Sequence, residues 1–310
     1  MKEIVTSSSV TPELADKFIN YLDISEISVK SYVSGIKKFL AFLSDNGITT
    51  PTRDTIIEFK KTLSEKYTAK TTACYLSSVK RFFAWLEAEG IFKDVARGVK
   101  APKLSHEHKR DAFSAEELGQ IISGLNRTSL EEKRNYAIFT LISATGLRTI
   151  EAVRADIADI RKVSGVTVLF IQGKGKTEKD AFVKLEAPVI DAINDYLSLR
   201  GAVNGNEPLF ASCSKRNKGQ RLTTVTISKV CKNIMINAGY NSKRLTAHSL
   251  RHTAITLALM GGISLQDTQA FARHASISTT TIYAHNINRI KSLAEFTIAR
   301  AIFGSQKRRM

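Results

Sequence analysis

Three cysteines in 310 residues, Cys74, Cys213 and Cys231, make an odd set with no zinc-ligand spacing. They exclude a disulfide scaffold and a zinc module, and fit a reduced cytoplasmic compartment with buried thiols. Long apolar runs are also lacking. No stretch approaches the roughly 18 apolar residues of a membrane span, and Met1 to Val10 has no apolar run after Lys2, so no secretory leader is expected. Acidic residues are few, 29 against 46 lysines and arginines. Among them Asp156, Asp159 and Glu178 share no evident setting and read as solvated surface charge, which argues against the carboxylate triad of a metal-dependent transposase or nuclease.

What is present is positive charge. The net charge is +17, with an isoelectric point near 9.8. Such an excess favours a polyanionic partner, because each phosphate neutralised by Lys or Arg releases counterions. Charge alone would equally suit DNA, RNA, a ribosome or an anionic membrane. Residues 1–110 carry 18 basic and 13 acidic residues, net +5, and the remainder carries 28 and 16, net +12. A hydrophobic content of 43% excludes a disordered chain, and the length suits two domains.

The first part reads as four helices. Thr11-Pro12-Glu13 is a helix start. Val29, Tyr32, Val33, Ile36, Leu40 and Leu43 lie on one face of a second helix ending at Gly47. A third runs from about Thr55 to Tyr67, and a fourth sets Leu76, Val79, Phe83 and Leu86 at helical spacing before Gly90. Residues 32–43 match residues 75–86 at a fixed offset of 43. The two copies each carry a basic pair, Lys37-Lys38 and Lys80-Arg81, suited either to phosphate contact from a shared face or to a solvated face beside a packed repeat.

Residues 100–110, with one proline and clustered basic residues, read as a linker. The expected domains are 1–105 and 112–310, joined by a linker at 106–111. The second opens at Ser114, with Glu117 completing a capping box and Phe113 and Leu118 placed for a hydrophobic staple. A helix follows from about Lys133 to Ala144. Val166 to Ile171 then looks like a strand, and Phe182 to Leu185 like its partner, separated by Gly173 to Thr177. From Pro188 onwards the pattern is mostly helical. The fold class is therefore mainly α with a small antiparallel β-sheet, in two domains.

Within the second domain, His248 and Arg251 lie three apart near the start of a helix, on one face. His274 follows 23 residues after Arg251, and Tyr283 nine after that. Arg148 follows the glycine of a tight turn, with Glu151 one helical turn later and able to orient it. Two arginines can grip phosphate oxygens in bidentate fashion, histidines can move protons near neutral pH, and a tyrosine hydroxyl can act as nucleophile.

These stretches, Ala144-Thr145-Gly146-Leu147-Arg148 with Glu151, Gly173-Lys174-Gly175, His248-Ser249-Leu250-Arg251-His252, Arg273-His274-Ala275-Ser276 and residues 278–285, resemble the tyrosine recombinase family of phage integrases and Xer-type recombinases. The resemblance spans about residues 112 to 290. It implies a carboxy-terminal catalytic domain and, more weakly, an amino-terminal core-binding (SAM-like) domain that uses Lys37, Lys38, Lys80 and Arg81 on DNA. It further implies that Arg148 and Arg251 clamp the scissile phosphate and that Tyr283 attacks it. Lys174 would protonate the leaving oxygen, with Lys176 as competitor, His248 would take or tune the tyrosine proton, and His274 would bond a non-bridging oxygen. Such chemistry uses no metal, ATP or other cofactor. It acts on double-stranded DNA bearing an inverted-repeat site, through a 3′-phosphotyrosyl intermediate and a Holliday junction, in a homo-oligomer that forms a tetramer in the synapse. One departure stands out: Arg273 occupies the place of the family's usual glycine, beside the site and able to alter how the tyrosine segment docks. The tail from Ile290 reads as an amphipathic helix, docking on a neighbouring protomer or packing on its own domain. There is no room ahead of Thr11 for a separate arm-binding domain, which tilts toward the two-domain resolvases and mobile-element integrases. A type IB topoisomerase and a non-catalytic DNA-binding regulator are the rival readings.

Overall fold

A computed structural model describes residues 9–103, 112–173, 175–201, 204–291 and 293–303. The chain divides into two compact units, Met1–His106 and Glu107–Met310. The expected linker, 106–111, lies outside the described residues together with Lys174.

The first unit holds α1 (Pro12–Tyr21), α2 (Glu26–Asp45), α3 (Arg53–Lys66) and α4 (Ala69–Ala88). Ser25, Thr52 and Thr68 cap the last three through their hydroxyls, each taking up an N–H that a helix start leaves unpaired. Phe18, Phe39, Phe59, Phe82 and Phe83 are buried at the centre, and each such ring contributes about 1.5–3 kcal/mol by leaving water. The 43-residue repeat acquires a physical meaning here. The matched helices α2 and α4 pack on each other with equivalent residues facing. Gly35 lies against Ser78, its own counterpart, and just before the matched stretch Ser31 Oγ is 3.2 Å from Cys74 Sγ, at the same 43-residue offset. A Cβ on Gly35 would lie 2.6 Å from Ser78 Oγ and 3.3 Å from the Tyr75 Cα, so the crossing requires glycine on one side.

The second unit is organised around α6 (Leu130–Thr145), which is buried along most of its length and reads as apolar on several faces, as a central helix must. α8 (Ala187–Arg200), α9 (Thr224–Asn237) and α10 (Ala247–Met260) pack on it. α5 (Ala115–Ser123) starts with the expected capping box, Ser114 with Glu117, and Phe113 and Leu118 are both buried in the core. α7 (Thr149–Arg154), α11 (Leu265–Ala272), α12 (Ile277–Lys291) and α13 (Ala294–Phe303) complete the helices of the described residues.

The sheet has three strands in the order β1 (Ile160–Val163), β2 (Val166–Ile171), β3 (Ala181–Lys184), all antiparallel. β2 and β3 are the expected pair, with Phe170 opposite Phe182. β1 was not legible, because it is short and three of its four side chains are exposed. Its turn is Ser164-Gly165, both at positive φ (50° and 82°), as a two-residue type I′ hairpin demands.

Other expectations need correction. Asp156 and Asp159 do share a setting: both pair with Lys179, and Asp156 also with Arg221. Asp159 is buried, so the two form an ion-pair knot and not solvated charge. Of the cysteines only Cys231 is buried, its thiol pushed up to about 12 by desolvation, while Cys74 is exposed. Ile290 belongs to α12, and the last helix starts at Ala294. No helix among the described residues is long and apolar enough to cross a membrane.

Replacing Gly35 by Ala should cost about 1–3 kcal/mol in urea unfolding of the protein, the range for overpacking. Adding Ser78→Gly should recover part of that loss, because the clash is with Ser78 itself. Equal stability of G35A and the unaltered protein would contradict the close crossing.

Candidate active site

α6 ends at Gly146, which takes the left-handed conformation (φ 60°) that closes a helix. The buried Leu147 then anchors the turn and Arg148 starts α7. Three residues on, the Glu151 side chain returns. Its Oε2 accepts from the Arg148 backbone N–H at 2.8 Å, and its Oε1 from Arg148 Nη1 at 2.8 Å. The carboxylate is 0% exposed, in the first turn of α7, the end of a helix where negative charge is favoured.

Arg251 reaches the same turn from α10. It is 2% exposed, donates from Nη1 to the Gly146 carbonyl at 2.6 Å, and bonds through Nη2 to the Ala272 carbonyl at the end of α11. One guanidinium thereby ties the end of α6 to the end of α11. Arg273 follows in the left-handed region, φ 54°, and its carbonyl accepts from Arg148 Nη2 at 3.2 Å. Its own side chain folds inward, with Nη2 3.1 Å from Glu151 Oε2 and 3.3 Å from the Gly146 carbonyl.

Next comes His274, whose Nδ1 is 2.9 Å from the hydroxyl of the buried Thr280. In the tautomer where Thr280 donates, Nε2 carries a proton available to an oxyanion. Tyr283, on α12 and 5% exposed, stands between two histidine rings: His274 is stacked at 6.1 Å and His252 meets it edge-on at 4.7 Å between centroids.

The electrostatics are those of a cation pocket. Burial, then Arg148 and Arg273, push Arg251 down to about 9, still protonated at pH 7. Burial, then Arg251, Arg148 and Arg273, push His274 down to about 4, so its ring is neutral at pH 7. Burial works to raise the Glu151 carboxyl, but Arg273 and the Arg148 groups outweigh it and hold it below its ordinary value. Cations held this close gain from any anion that enters.

Arg148, Glu151, Arg251, His274 and Tyr283 are thus gathered in one place from four separate segments. His248 is exposed on the first turn of α10, while Arg251, three residues on, is buried. Lys174 lies outside the described residues; of its neighbours, the Gly173 carbonyl accepts from Arg154 at 3.0 Å. Lys176 is an exposed partner of Asp180. In the first unit, Lys38 and Arg81, matched positions of the repeat, each lie over a tyrosine ring, Tyr67 and Tyr32 respectively. Lys80 donates to the Val99 carbonyl, and Lys37 is exposed. Two participants were not legible beforehand. His252 was adjacent to Arg251 in the sequence, and only the packing of α12 brings it to Tyr283. Arg273 stood out as a departure, without any sign that it pairs with Glu151.

The phage integrase family matches residues 112–289, more than half of the chain, and the family's amino-terminal SAM-like domain matches residues 15–90. The chain belongs to the phage integrase family. Relatives of this integrase-family chain include a tyrosine recombinase of Pseudothermotoga lettingae, 27% identical over 91% of this chain and 95% of the relative. A second is the tyrosine recombinase XerD of Lacticaseibacillus casei, 29% identical over 87% and 93%. Among solved structures, the XerH site-specific recombinase bound to its palindromic difH substrate in a post-cleavage complex aligns with TM-score 0.74 at 22% identity, over 91% of this chain and 83% of that one. A lambda integrase dimer on a COC′ core site aligns at 0.68 and 18%, over 86% and 96%. At these identities the structures bear on the fold. Both family domains, four helices and a mainly helical unit with a three-stranded sheet, correspond to the architecture described above.

Two stability measurements follow from the cluster. Glu151→Gln removes the one carboxylate among three guanidiniums and should cost about 3 kcal/mol at pH 7, the scale of a broken buried ion pair. His274 has a folded pKa of about 4 against 6.5 in an unfolded chain, so the unfolded state binds the proton first and stability falls as pH drops from 6.5 towards 4. Urea midpoints of His274→Gln should fall less across that window than those of the unaltered protein; parallel curves would contradict the assignment.

Proposed function

We propose that the protein is a site-specific DNA recombinase, an integrase or resolvase, that cuts and rejoins strands through Tyr283. The observation that carries this reading is the convergence of Arg148, Arg251, His274 and Tyr283 on one buried, positively charged turn region. Arg148 and Arg251 hold the non-bridging oxygens of the scissile phosphate and stabilise the charge that builds on it in the transition state. Tyr283 Oη forms a bond to phosphorus while the bond to the 5′-oxygen breaks, leaving a 3′-phosphotyrosyl link and a 5′-hydroxyl. Lys174 gives that oxygen its proton and His248 takes the proton of the tyrosine, whose ordinary pKa of about 10 makes it a poor nucleophile at pH 7. His274 donates a hydrogen bond to a non-bridging oxygen. The 5′-hydroxyl of a second strand then attacks the phosphotyrosine, releasing Tyr283 and resealing DNA through a Holliday junction. The arginines supply the positive charge that metal ions would otherwise bring, and the phosphotyrosine conserves the energy of the broken bond, so neither metal nor ATP is required.

Lys37, Lys38, Lys80 and Arg81 contact backbone phosphates in this reading, and the domain at 1–105 grips the duplex. The site is an inverted repeat and the working form a tetramer in the cytoplasm. Its coupling element is α13, where Leu293 just ahead of it and Phe296, Ile298, Ile302 and Phe303 on it are all exposed and none of its residues is buried. That apolar face suits a neighbouring protomer.

The test is a pool of duplexes with randomised inverted repeats and a nick in the spacer. Adducts that survive detergent should form with the unaltered protein, map to Tyr283 and be absent with Tyr283→Phe. No adduct from any duplex would overturn catalysis, and relaxation of plasmids without sequence preference would favour a topoisomerase. Removal of residues from Ser292 onwards should leave binding to the captured duplex within about twofold and abolish strand exchange; full recombination by the truncated protein would exclude a coupling role for α13.

A further inference from the structure

Arg273 is expensive to keep. It is one of two non-glycine residues at positive φ among those described, a conformation that side chains resist. Its Nε–H is buried and finds no acceptor among the described residues, an unfavourable state for any polar group. Strain of that kind at a site points to a gain elsewhere. The gain is visible in the charges. Glu151 is needed to cap α7 and orient Arg148, yet its buried negative charge cancels one of the two phosphate-holding arginines. Arg273 pairs with the same carboxylate, so three guanidiniums less one carboxylate leave the cluster at +2 instead of +1. Arg273 and Arg251 also share the Gly146 carbonyl, while Arg148 holds the Arg273 carbonyl. The side chains of Arg148 and Arg273 therefore brace each other's segments.

Building on the recombinase reading above, we propose that Arg273 is a positioning residue: it neutralises Glu151 and locks α11 to α7, so that Arg148 and Arg251 present their full charge in fixed geometry to the scissile phosphate. His274 reports on the same charge. The groups around it are Arg148 at the start of α7, Arg251 from α10, Thr280 and Tyr283 from α12, and Arg273 beside it, with Glu151 as the carboxylate paired to two of those arginines.

The test compares Arg273→Gly, Arg273→Met and Arg273→Lys. Glycine is the residue this backbone favours, Met keeps the bulk without charge, and Lys keeps the charge. With a nicked duplex captured as described above, single-turnover cleavage should fall about tenfold to a hundredfold in R273G and R273M, the scale of one lost charged hydrogen bond. Affinity for that duplex should stay within about twofold, and R273K should fall in between. Independently of any DNA, the His274 ring titration followed by NMR should move to higher pH in R273M and stay near its original midpoint in R273K. Cleavage by R273G and R273M at the unaltered rate would overturn the proposal, as would an R273K no better than R273M. If the unaltered protein cleaves no duplex, the recombinase reading fails, and the His274 titration still decides whether Arg273 sets the charge of the cluster: an unmoved midpoint in R273M overturns it.

Discussion

A carboxylate with no access to solvent organises this active-site region. Glu151 can remain ionised there only because guanidiniums approach it from two directions, Arg148 three residues earlier and Arg273 at 122 residues' distance along the chain. Burying an unpaired carboxylate would cost several kcal/mol. The pairing therefore constrains where the loop after α11 lies, and with it His274 and the start of α12. Much of the cationic cluster follows from satisfying one negative charge and one carbonyl, that of Gly146, to which both Arg251 and Arg273 donate.

The arrangement suits an enzyme whose task is to hold a phosphate while bonds to it exchange. Backbone carbonyls and a buried acid hold the arginines in place, and under the proposed reading little reorganisation is left for the chemical step. Burial, and after it the positive charge that remains unbalanced, lowers His274 and Arg251 in the same direction, and an entering anion would supply the missing countercharge. The tyrosine is held by ring packing against His252 and His274.

In the first unit the governing constraint is steric. Matched positions of an internal repeat face one another, and a single glycine lets α2 and α4 approach closely. The same repeat places Lys38 and Arg81 at equivalent points, each over a tyrosine face. The two basic groups are equivalent in the repeat, but the tyrosines beneath them, Tyr67 and Tyr32, are not. The repeat was legible in the residues; that its copies touch each other was not.

The local part of the site was readable because local interactions produce it. Gly146 before Arg148, and Glu151 three residues later, specify a helix stop, a helix start and a capping carboxylate within six residues, and Ser114 with Glu117 does the same for α5. The α2 and α4 helices announced themselves through apolar spacing, whereas β1 escaped because its exposed, charged residues carry no apolar signal. The charge accounting of the pocket was beyond reach in the same way. Asp156 and Asp159 looked unrelated until Lys179 closed on both, and Arg273 looked like a bulky intruder until its chain was seen to turn toward Glu151. By itself the sequence determined the helices, their caps, the basic excess and the identity of the groups able to handle a phosphate, since each depends on neighbours within a few positions. Only the tertiary structure decided that Arg273 meets Glu151 and that Lys179 meets Asp156 and Asp159, because those pairings join segments from 20 to 122 residues apart and depend on burial, which no local pattern encodes.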